Sequence, residues 1–402
     1  MLSLDQAQAR LLASVGPLST EVLPLAAGAH RHLAGDVAAL LTQPPFAASA
    51  MDGYAIRWAD MPGPWQVIGE SAAGLRFNGN TGPGQAVRIF TGAPMPMGAD
   101  TVIVQEEINR DGMIAQLSGE GPPMLGAHIR PAGLDFLKGA RLAGSGDRLT
   151  PARIGLLAAS GHGTVNVHRR PRVLLLSTGS ELVTAGEALG PDQIVSSNGP
   201  MLSALLQSHG ADVTDGGIIP DDRVALAAAF ATSAEFDLLV TVGGASVGDH
   251  DLILPVLTAL GAQIDFWKVA IKPGKPILSG KLGPTQVIGL PGNPVSAAVC
   301  TMLFVLPVVR AMLGNPTPLP QLIQAATTVD LPPNGNRRDN LRATVSLRDG
   351  QWIVTPAGRQ DSSMLRVLAE ANALLIRPEN DGPVVVGTNV PVLPLDSGAF
   401  DS

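Results

Sequence analysis

The feature that most constrains the fold is a regular alternation of short apolar runs and helix-length segments between residue 172 and about residue 314. Apolar runs at 173–176 and 238–242 are typical of buried strands, and the residues between such runs, for example 223–232, have the apolar spacing of helices. Parallel strands need a long crossover connection, which is usually a helix. We therefore predict an α/β domain with a doubly wound, largely parallel sheet.

The segments on either side have a different character. An opening helix near 4–14 precedes short strand-like runs between Gly/Pro turns, and Thr150 and Pro151 are typical of the start of another helix at 151–160. After residue 314 strand patterns return over roughly 80 residues, enough for a small β-barrel or sandwich. We predict an elongated helical and strand-rich N-terminal region with two subdomains (1–170), the α/β domain (171–316) and a C-terminal β-barrel (317–402).

Composition and charge exclude several classes of function. The 402-residue chain has a formal net charge of -7, so nonspecific binding to nucleic acid is not expected. The one cysteine, Cys300, excludes intrachain disulfides and thiolate metal clusters, and we expect it to be a small buried hydrophobe. The longest uncharged run, 294–309, is too short and too interrupted to span a membrane, so a buried helix is expected there. We expect a soluble cytoplasmic protein without nucleic-acid or membrane partners.

Five predicted strands end in segments rich in glycine, acids or lysine. In open α/β sheets, ligands bind outside the carboxyl ends of the strands, so we expect these segments to meet at one edge. They are 177–181 (Ser-Thr-Gly-Ser-Glu), 220–222 (Pro-Asp-Asp), 243–251 (Gly-Gly-Ala-Ser-Val-Gly-Asp-His-Asp), 271–276 (Ile-Lys-Pro-Gly-Lys-Pro) and 290–294 (Leu-Pro-Gly-Asn-Pro).

Each of these segments alone has an ordinary structural explanation. Asp221, Asp222 and Asp251 precede predicted helices, where an aspartate caps backbone N–H groups, and the glycines and lysines suit turns and solvent. Together, exposed backbone N–H groups, a helix N-terminus and lysines favour a phosphate-bearing ligand. Because carboxylates would repel phosphate unless a divalent ion bridged them, we predict a site for such a ligand and Mg²⁺.

The same segments, with others nearer the N-terminus, match a known family in order along the whole chain. The matching segments are 177–182, 243–251, 267–276 (Trp-Lys-Val-Ala-Ile-Lys-Pro-Gly-Lys-Pro), 290–296, 49–55 (Ser-Ala-Met-Asp-Gly-Tyr-Ala), 88–94 (Arg-Ile-Phe-Thr-Gly-Ala-Pro) and 128–131 (His-Ile-Arg-Pro) running to Asp135. They resemble the molybdopterin molybdenumtransferase (MoeA-type) family, to which the gephyrin E domain is related. The resemblance implies four structural domains, a homodimer, and insertion of molybdate into adenylylated molybdopterin with Mg²⁺, which releases AMP and molybdenum cofactor.

The resemblance also implies roles for individual residues. Glu181, Asp221 and Asp251 are the carboxylates expected around the pterin, the metal and the phosphates. Asp52, Thr91 and Asp135 are expected to add catalytic groups from the N-terminal region of the neighbouring subunit, although a turn is the ordinary explanation for Asp52 and Thr91. The residues expected to hold substrates are Lys268, Lys272, Lys275, Gly243, Gly244, Ser246, Gly248, Pro291, Gly292, Asn293, Pro294 and Ser363 or its neighbour Ser362.

Four positions depart from the commoner family pattern. Ser180 and Ser196 stand where an acid is usual, Leu134 stands where an acid often precedes Asp135, and Asp361 stands where glycine is frequent. These departures leave the main carboxylates intact but alter peripheral charge, so metal affinity or the preference between molybdate and tungstate is left open.

Two other functions are consistent with parts of the sequence. Single-domain relatives of the α/β segment adenylylate molybdopterin, but the long N- and C-terminal regions favour the later, molybdate-inserting step. A non-catalytic cofactor-binding scaffold is the other alternative, and the absence of a linker or partner-binding extension counts against it. The sequence leaves open whether a molybdopterin adenylyltransferase docks as a partner.

Overall fold

The structure is a computed structural model that describes residues 1–244 and 252–395. The chain forms two compact units, Val22–Asn166 on the one hand and Met1–Glu21 with the chain from Val167 onward on the other. The α-helices are α1 (Leu4–Ala13), α2 (Pro151–Ala159), α3 (Asn198–Ser208), α4 (Arg223–Ala231), α5 (Ile253–Ala259), α6 (Pro294–Cys300), α7 (Leu306–Met312) and α8 (Leu365–Glu370). Short 3-10 helices lie at Leu25–Gly28, Trp58–Asp60, Gln105–Glu107 and Thr232–Glu235, and Thr301–Val305 is a π-helical segment between α6 and α7.

The unit Val22–Asn166 is rich in short strands, as predicted. Its largest sheet has six strands, and Ile56 and Trp65 are fully buried in its core. The order of these strands is Thr101–Val104, Gly53–Ile56, Gln85–Ile89, Trp65–Ser71, Ile114–Leu117 and Ile108–Asp111. Thr150 caps α2 by accepting a hydrogen bond from the backbone N–H of Arg153, which confirms the predicted helix start. The strands of this part of the chain are β1 (Thr20–Pro24), β2 (Val37–Ala38), β3 (Ala48–Ser49), β4 (Gly53–Ile56), β5 (Trp65–Ser71), β6 (Gln85–Ile89), β7 (Thr101–Val104), β8 (Ile108–Asp111), β9 (Ile114–Leu117), β10 (Ile129–Arg130), β11 (Arg141–Ala143) and β12 (Thr164–His168).

The predicted α/β sheet is confirmed in the other unit. Its strands are β13 (Arg172–Thr178), β14 (Leu182–Val183), β15 (Ile194–Val195), β16 (Asp212–Ile219), β17 (Leu238–Val242), β18 (Gln263–Lys268), β19 (Ile271–Lys272), β20 (Pro276–Leu282) and β21 (Thr285–Leu290). The main sheet has the order β16-β13-β17-β21-β20-β18. The first four strands are parallel, β20 is antiparallel to both neighbours, and β18 therefore runs in the same direction as the parallel set.

This topology places five carboxyl strand ends at one edge of the sheet. The strand that follows β13 in the chain, β16, lies on one side of β13, and β17 lies on the other side. The contact between β13 and β17 is therefore a topological switch point, where open α/β sheets bind ligands. Helices cover both faces, and the buried side chains of β13 alternate between two clusters: Val173 and Leu175 contact one, Leu174 and Leu176 the other. A sheet buried on both faces explains the continuous apolar runs in the sequence.

The C-terminal strands form the predicted small barrel. They are β22 (Ile323–Thr327), β23 (Arg338–Arg348), β24 (Gln351–Pro356), β25 (Ala373–Arg377) and β26 (Asn389–Pro394). Their order β23-β24-β22-β26-β25 closes through the pairing of β23 with β25. The short strand β19 joins the other edge of β23, so the backbone that carries Lys272 is hydrogen-bonded to the barrel. The predicted domain boundaries at 170/171 and 316/317 stay predictions.

The apolar segment Pro294–Met312 is a core helix. The expectation that this run is too short to span a membrane is wrong, because the helix continues to Met312 and its 19 residues suffice by length and composition. Burial is what identifies it as a core helix, since 83% of its most apolar window lies inside the protein. Burial of this kind is typical of a helix at the centre of a domain, as predicted for residues 294–309.

Candidate active site at the strand ends

The loops that follow β13 and β16 are joined through Ser180 and Asp221. The Ser180 backbone N–H donates to Oδ2 of Asp221 at 3.2 Å, and the Asp221 backbone N–H donates to Oγ of Ser180 at 3.1 Å. Glu181 is the next residue, and both carboxyl-bearing side chains are exposed. The structure therefore places the loops of Glu181 and Asp221 next to each other, and Ser180 joins the two loops by hydrogen bonds.

Asp221 and Asp222 are adjacent, but only Asp222 caps the helix that follows. Oδ1 of Asp222 accepts hydrogen bonds from the backbone N–H groups of Val224 and Ala225, so Asp222 is the N-cap of α4. Asp221 is not needed for the cap. Its carboxylate stays at the strand-end edge of the sheet, where it can bind a ligand.

The glycines after β17 pack closely against neighbouring strand ends. Gly243 is buried with a φ of 100°, and a Cβ at this position would lie 2.3 Å from the carbonyl oxygen of Thr178. The backbone N–H of Gly243 donates to the carbonyl oxygen of Leu290 at 3.1 Å. A Cβ added to Gly292 would lie 3.5 Å from the Cα of Gly243. The first glycine of this loop is therefore required by packing. Ser246, Gly248 and Asp251 lie outside the described residues.

Of the three predicted lysines, Lys268 ends β18, Lys272 ends β19 and Lys275 directly precedes β20. The Lys268 ammonium lies 4.4 Å from the ring centroid of Trp267, a cation–π contact. Lys272 is 55% exposed, and its Nζ lies 3.3 Å from Oδ2 of Asp339. Lys275 is exposed, and its carbonyl oxygen accepts from the backbone N–H of Val269. Lys272 is thus the lysine of this group whose ammonium is paired with a carboxylate among the described residues.

The segment 291–294 meets the loop at 360–363 of the barrel. Nδ2 of Asn293 donates to Oγ of Ser362 at 3.0 Å, and the backbone N–H of Val295 donates to the Ser362 carbonyl oxygen at 3.1 Å. On the other side, Nδ2 of Asn198 donates to the Gly292 carbonyl oxygen at 2.7 Å, and the Asn198 Oδ1 is buried without a partner among the described residues. Of the two serines considered, Ser362 is the one hydrogen-bonded to Asn293.

Asp361 orders the neighbouring serine. Its Oδ1 accepts from the Ser363 backbone N–H at 2.8 Å and from the Ser363 hydroxyl at 2.6 Å. The hydroxyl and then the backbone hydrogen bond of Ser363 lower the pKa of the Asp361 carboxyl, so Asp361 is ionised near neutral pH. The acid that replaces the frequent glycine therefore fixes Ser363 and adds a negative charge beside it.

Sequence reasoning missed Arg342, on β23. Its side chain is 1% exposed, and a terminal nitrogen of its guanidinium donates to the Asp361 carbonyl oxygen at 2.8 Å. Burial lowers the pKa of this guanidinium, and its Nε has no partner within the part of the chain that the structure describes. The sequence around Arg342 gives no sign of a site, because an arginine in a strand is usually a surface residue. Its contact with the loop at 360–363 is seen only in the folded structure.

Asp52 and Thr91 form a separate cluster in the unit Val22–Asn166. Oδ1 of Asp52 accepts from the Thr91 backbone N–H at 2.7 Å and from its hydroxyl at 2.8 Å. These two bonds, the backbone one first, lower the pKa of the Asp52 carboxyl. Asp135 is exposed, and its backbone N–H donates to the carbonyl oxygen of Gln43. The structure thus pairs two of these three predicted residues directly.

The predicted magnesium ligands are consistent with a partly hydrated ion. Within 1–244 and 252–395, no group of three or more His, Cys, Asp or Glu side chains is arranged to hold a metal ion. Mg²⁺ usually needs only one or two carboxylates, because it keeps several waters and binds substrate phosphates. Glu181 and Asp221, on loops joined by hydrogen bonds, are carboxylates that could hold such an ion.

The fold and the site define a class of protein: a multidomain enzyme with a molybdopterin-binding type of α/β domain. The family models that match are the MoeA N-terminal region (domain I and II) over residues 2–161, a probable molybdopterin binding domain over 174–311 and the MoeA C-terminal region (domain IV) over 324–395. The chain belongs to the molybdopterin molybdenumtransferase family. It is a transferase of molybdenum cofactor biosynthesis.

Relatives match over almost the whole chain. A molybdopterin molybdenumtransferase from Haemophilus influenzae is 37% identical over 98% of this chain and 99% of its own length. One from a Nostoc species is 36% identical over 94% of this chain and 89% of its own length. The crystal structure of a MoeA molybdopterin biosynthesis protein from Pyrococcus horikoshii superposes with a TM-score of 0.84 at 29% identity, covering 98% of this chain and 99% of that one.

Proposed function

We propose that this enzyme inserts molybdate into adenylylated molybdopterin and releases AMP and molybdenum cofactor. The observation that carries the proposal is that β23 holds the loop of Lys272 and the loop of residues 360–363 by hydrogen bonds from neighbouring positions. Asn340 donates from Nδ2 to the Lys272 carbonyl oxygen at 3.2 Å, and Arg342, two residues further on, donates to the Asp361 carbonyl oxygen. Two residues of a strand span about 7 Å, so the lysine and serine loops are held side by side. A tetrahedral dianion needs such a group of donors.

The carboxylates and the lysines have different tasks in this proposal. Lys268, Lys272 and Lys275, with Ser362 or Ser363 and Arg342, bind anionic oxygens of molybdate and substrate. Glu181 and Asp221 hold Mg²⁺, which supplies charge neutralisation at the phosphoanhydride when bound. Asp251 is proposed as a third carboxylate from the sequence alone. The segments that carry Gly243, Gly244 and Pro291 to Pro294 close the edge of the site, and Asn198 offers a buried acceptor to a ligand N–H.

Further parts of the proposal concern assembly and location. We propose a homodimer in which Asp52, Thr91 and Asp135 take part in catalysis. Lowering of the pKa of Asp52 by Thr91 supports an ionised carboxylate in that role. A molybdopterin adenylyltransferase is the natural supplier of the substrate and a candidate partner, and the cytoplasm is the proposed location.

Replacing Lys272 by methionine tests the assignment of the oxyanion donors. Loss of one charge-assisted hydrogen bond costs about 1.5–3 kcal/mol, so we expect the KM for molybdate to rise about 10- to 100-fold. The assay supplies adenylylated molybdopterin, Mg²⁺ and molybdate and follows AMP release. Lys281→Met is the matched control, because Lys281 lies near the end of β20, which runs antiparallel to its neighbours and ends at the opposite edge of the sheet. An unchanged KM for molybdate in Lys272→Met would overturn the assignment.

The preceding adenylylation step remains the competing enzymatic function. The assay that separates them supplies ATP and molybdopterin without molybdate. We expect no adenylylated product, because the donors on the barrel, Arg342 and the 360–363 loop, are additions to the α/β domain that suit an oxyanion. Rapid synthesis of adenylylated molybdopterin would favour the competing function.

A further inference from the structure

Lys272 is paired with the carboxylate of Asp339. Its Nζ lies 3.3 Å from Oδ2 of Asp339, and the two side chains differ sharply in exposure: 55% for Lys272 and 14% for Asp339. The carboxylate is mostly buried, whereas the ammonium ends a long flexible stem that water reaches. The lysine is therefore the mobile partner of this ion pair, and Asp339 is the fixed one.

The ion pair is not needed to hold the lysine loop in place. Lys272 is aligned with Asp339 in the parallel pairing of β19 with β23, and its carbonyl oxygen accepts from Nδ2 of Asn340 at 3.2 Å. The backbone around Lys272 is thus fixed by strand pairing and by a neutral amide. The effect of the Asp339 charge that the described contacts show is to neutralise the ammonium of Lys272.

We propose that Asp339 is an exchangeable counter-ion of Lys272, which an entering oxyanion displaces. Two anions that use the same ammonium compete, and a carboxylate beside a bound dianion also repels it. Asp339 therefore weakens oxyanion binding and sets the affinity of the site to a lower value than the donors alone would give. This inference rests on the proposed function, since it takes Lys272 to be an oxyanion donor.

Asp339→Asn removes the charge but keeps an oxygen that can accept from Lys272. We expect the Kd for molybdate, measured by calorimetric titration of the full chain at low ionic strength, to fall about 2- to 5-fold, the range of a partly exposed ion pair. The gain should shrink as salt is added, because screening already weakens the competing charge. Asp339→Glu, which keeps the charge, should bind molybdate nearly as the unaltered protein does.

Glu370→Gln is the matched control for a general change of charge. Glu370 pairs with Arg366 on α8 at 2.8 Å, and its replacement also removes one negative charge from the barrel side of the molecule. We expect it to leave the Kd for molybdate unchanged. Thermal unfolding of each variant, at a midpoint within a few degrees of the parent's, shows that the fold is retained. A gain in Glu370→Gln equal to that in Asp339→Asn would overturn the proposal.

Combining the replacements separates the counter-ion role from the function on which it rests. In a Lys272→Met background, Asp339→Asn should no longer strengthen binding, and a persistent gain would show that Asp339 acts through another group. If Lys272→Met weakens binding while Asp339→Asn leaves it equal or weaker, the counter-ion role alone fails. If Lys272→Met leaves binding unchanged, the assignment of Lys272 to the oxyanion fails, and the counter-ion role fails with it.

Discussion

Replacing Glu181 by alanine should slow molybdate-dependent AMP release by about 100-fold or more, the usual cost of removing a group that stabilises developing charge. Glu181 is exposed at the carboxyl end of β13, beside the loop that carries Asp221. In the proposed reaction its carboxylate holds the metal ion that neutralises the phosphoanhydride, so the loss should fall mainly on kcat. Single-turnover measurement of AMP release with saturating molybdate and Mg²⁺ gives this rate directly.

Glu187→Ala is the matched control for Glu181→Ala. Glu187 is an exposed glutamate six residues along the same connection, and the described contact that fixes it is a backbone hydrogen bond to Thr184. It should react at the parental rate. Raising the Mg²⁺ concentration should recover part of the activity of Glu181→Ala, because Asp221 still offers a ligand. A near-parental rate in Glu181→Ala, with the fold intact, would remove Glu181 from the catalytic group.

Much of the sheet could be predicted because its strands are buried on both faces. The predicted strand at 238–242 matches β17 residue for residue, and the predicted helix at 223–232 lies within one residue of α4. Continuous apolar runs and an aspartate N-cap are local signals, so one sequence suffices to locate them. Because parallel strands end at the same edge of a sheet, the loops that follow them could be grouped before the fold was known.

The parts that could not be predicted depend on contacts distant in the chain. Strand β20 was missed because residues 276–282 contain Pro, Ser, Gly and Lys, and its pairing with β18 and β21 overrides weak local propensity. Asp339 lies 67 residues from Lys272, and Arg342 lies 19 residues from Asp361. The sequence pattern of a barrel strand does not indicate which of its residues contacts a distant loop. Asp339 and Arg342 were therefore found only from the structure.

Replacing Gly274 by alanine should destabilise the α/β domain by about 2–5 kcal/mol and displace the lysine loop. Gly274 has a φ of 106°, where an L residue is strained by about 1–2 kcal/mol. An added Cβ would also lie 2.3 Å from Sγ of Cys300, which is fully buried in α6, and overpacking of a core costs about 1–3 kcal/mol more. Calorimetric unfolding measures the loss, and a rise in the KM for molybdate should accompany it because Lys272 and Lys275 flank the altered residue.

Gly283→Ala separates backbone strain from crowding at Gly274. Gly283 has a φ of 58° in the turn between β20 and β21, and nothing lies within 4 Å of an added Cβ, so only the backbone cost of about 1–2 kcal/mol is expected there. Removing the Cys300 sulfur tests the part of the loss that comes from crowding. In a Cys300→Ala background, Gly274→Ala should lower the free energy of unfolding by about 1–3 kcal/mol less than it does in the parent. Burial raises the pKa of the Cys300 thiol, so this residue stays a neutral packing group throughout the measurement. Strictly additive effects of the two replacements would show that the thiol does not define the space above Gly274, and the rigid support of the lysine loop would then have to come from the β19 pairing alone.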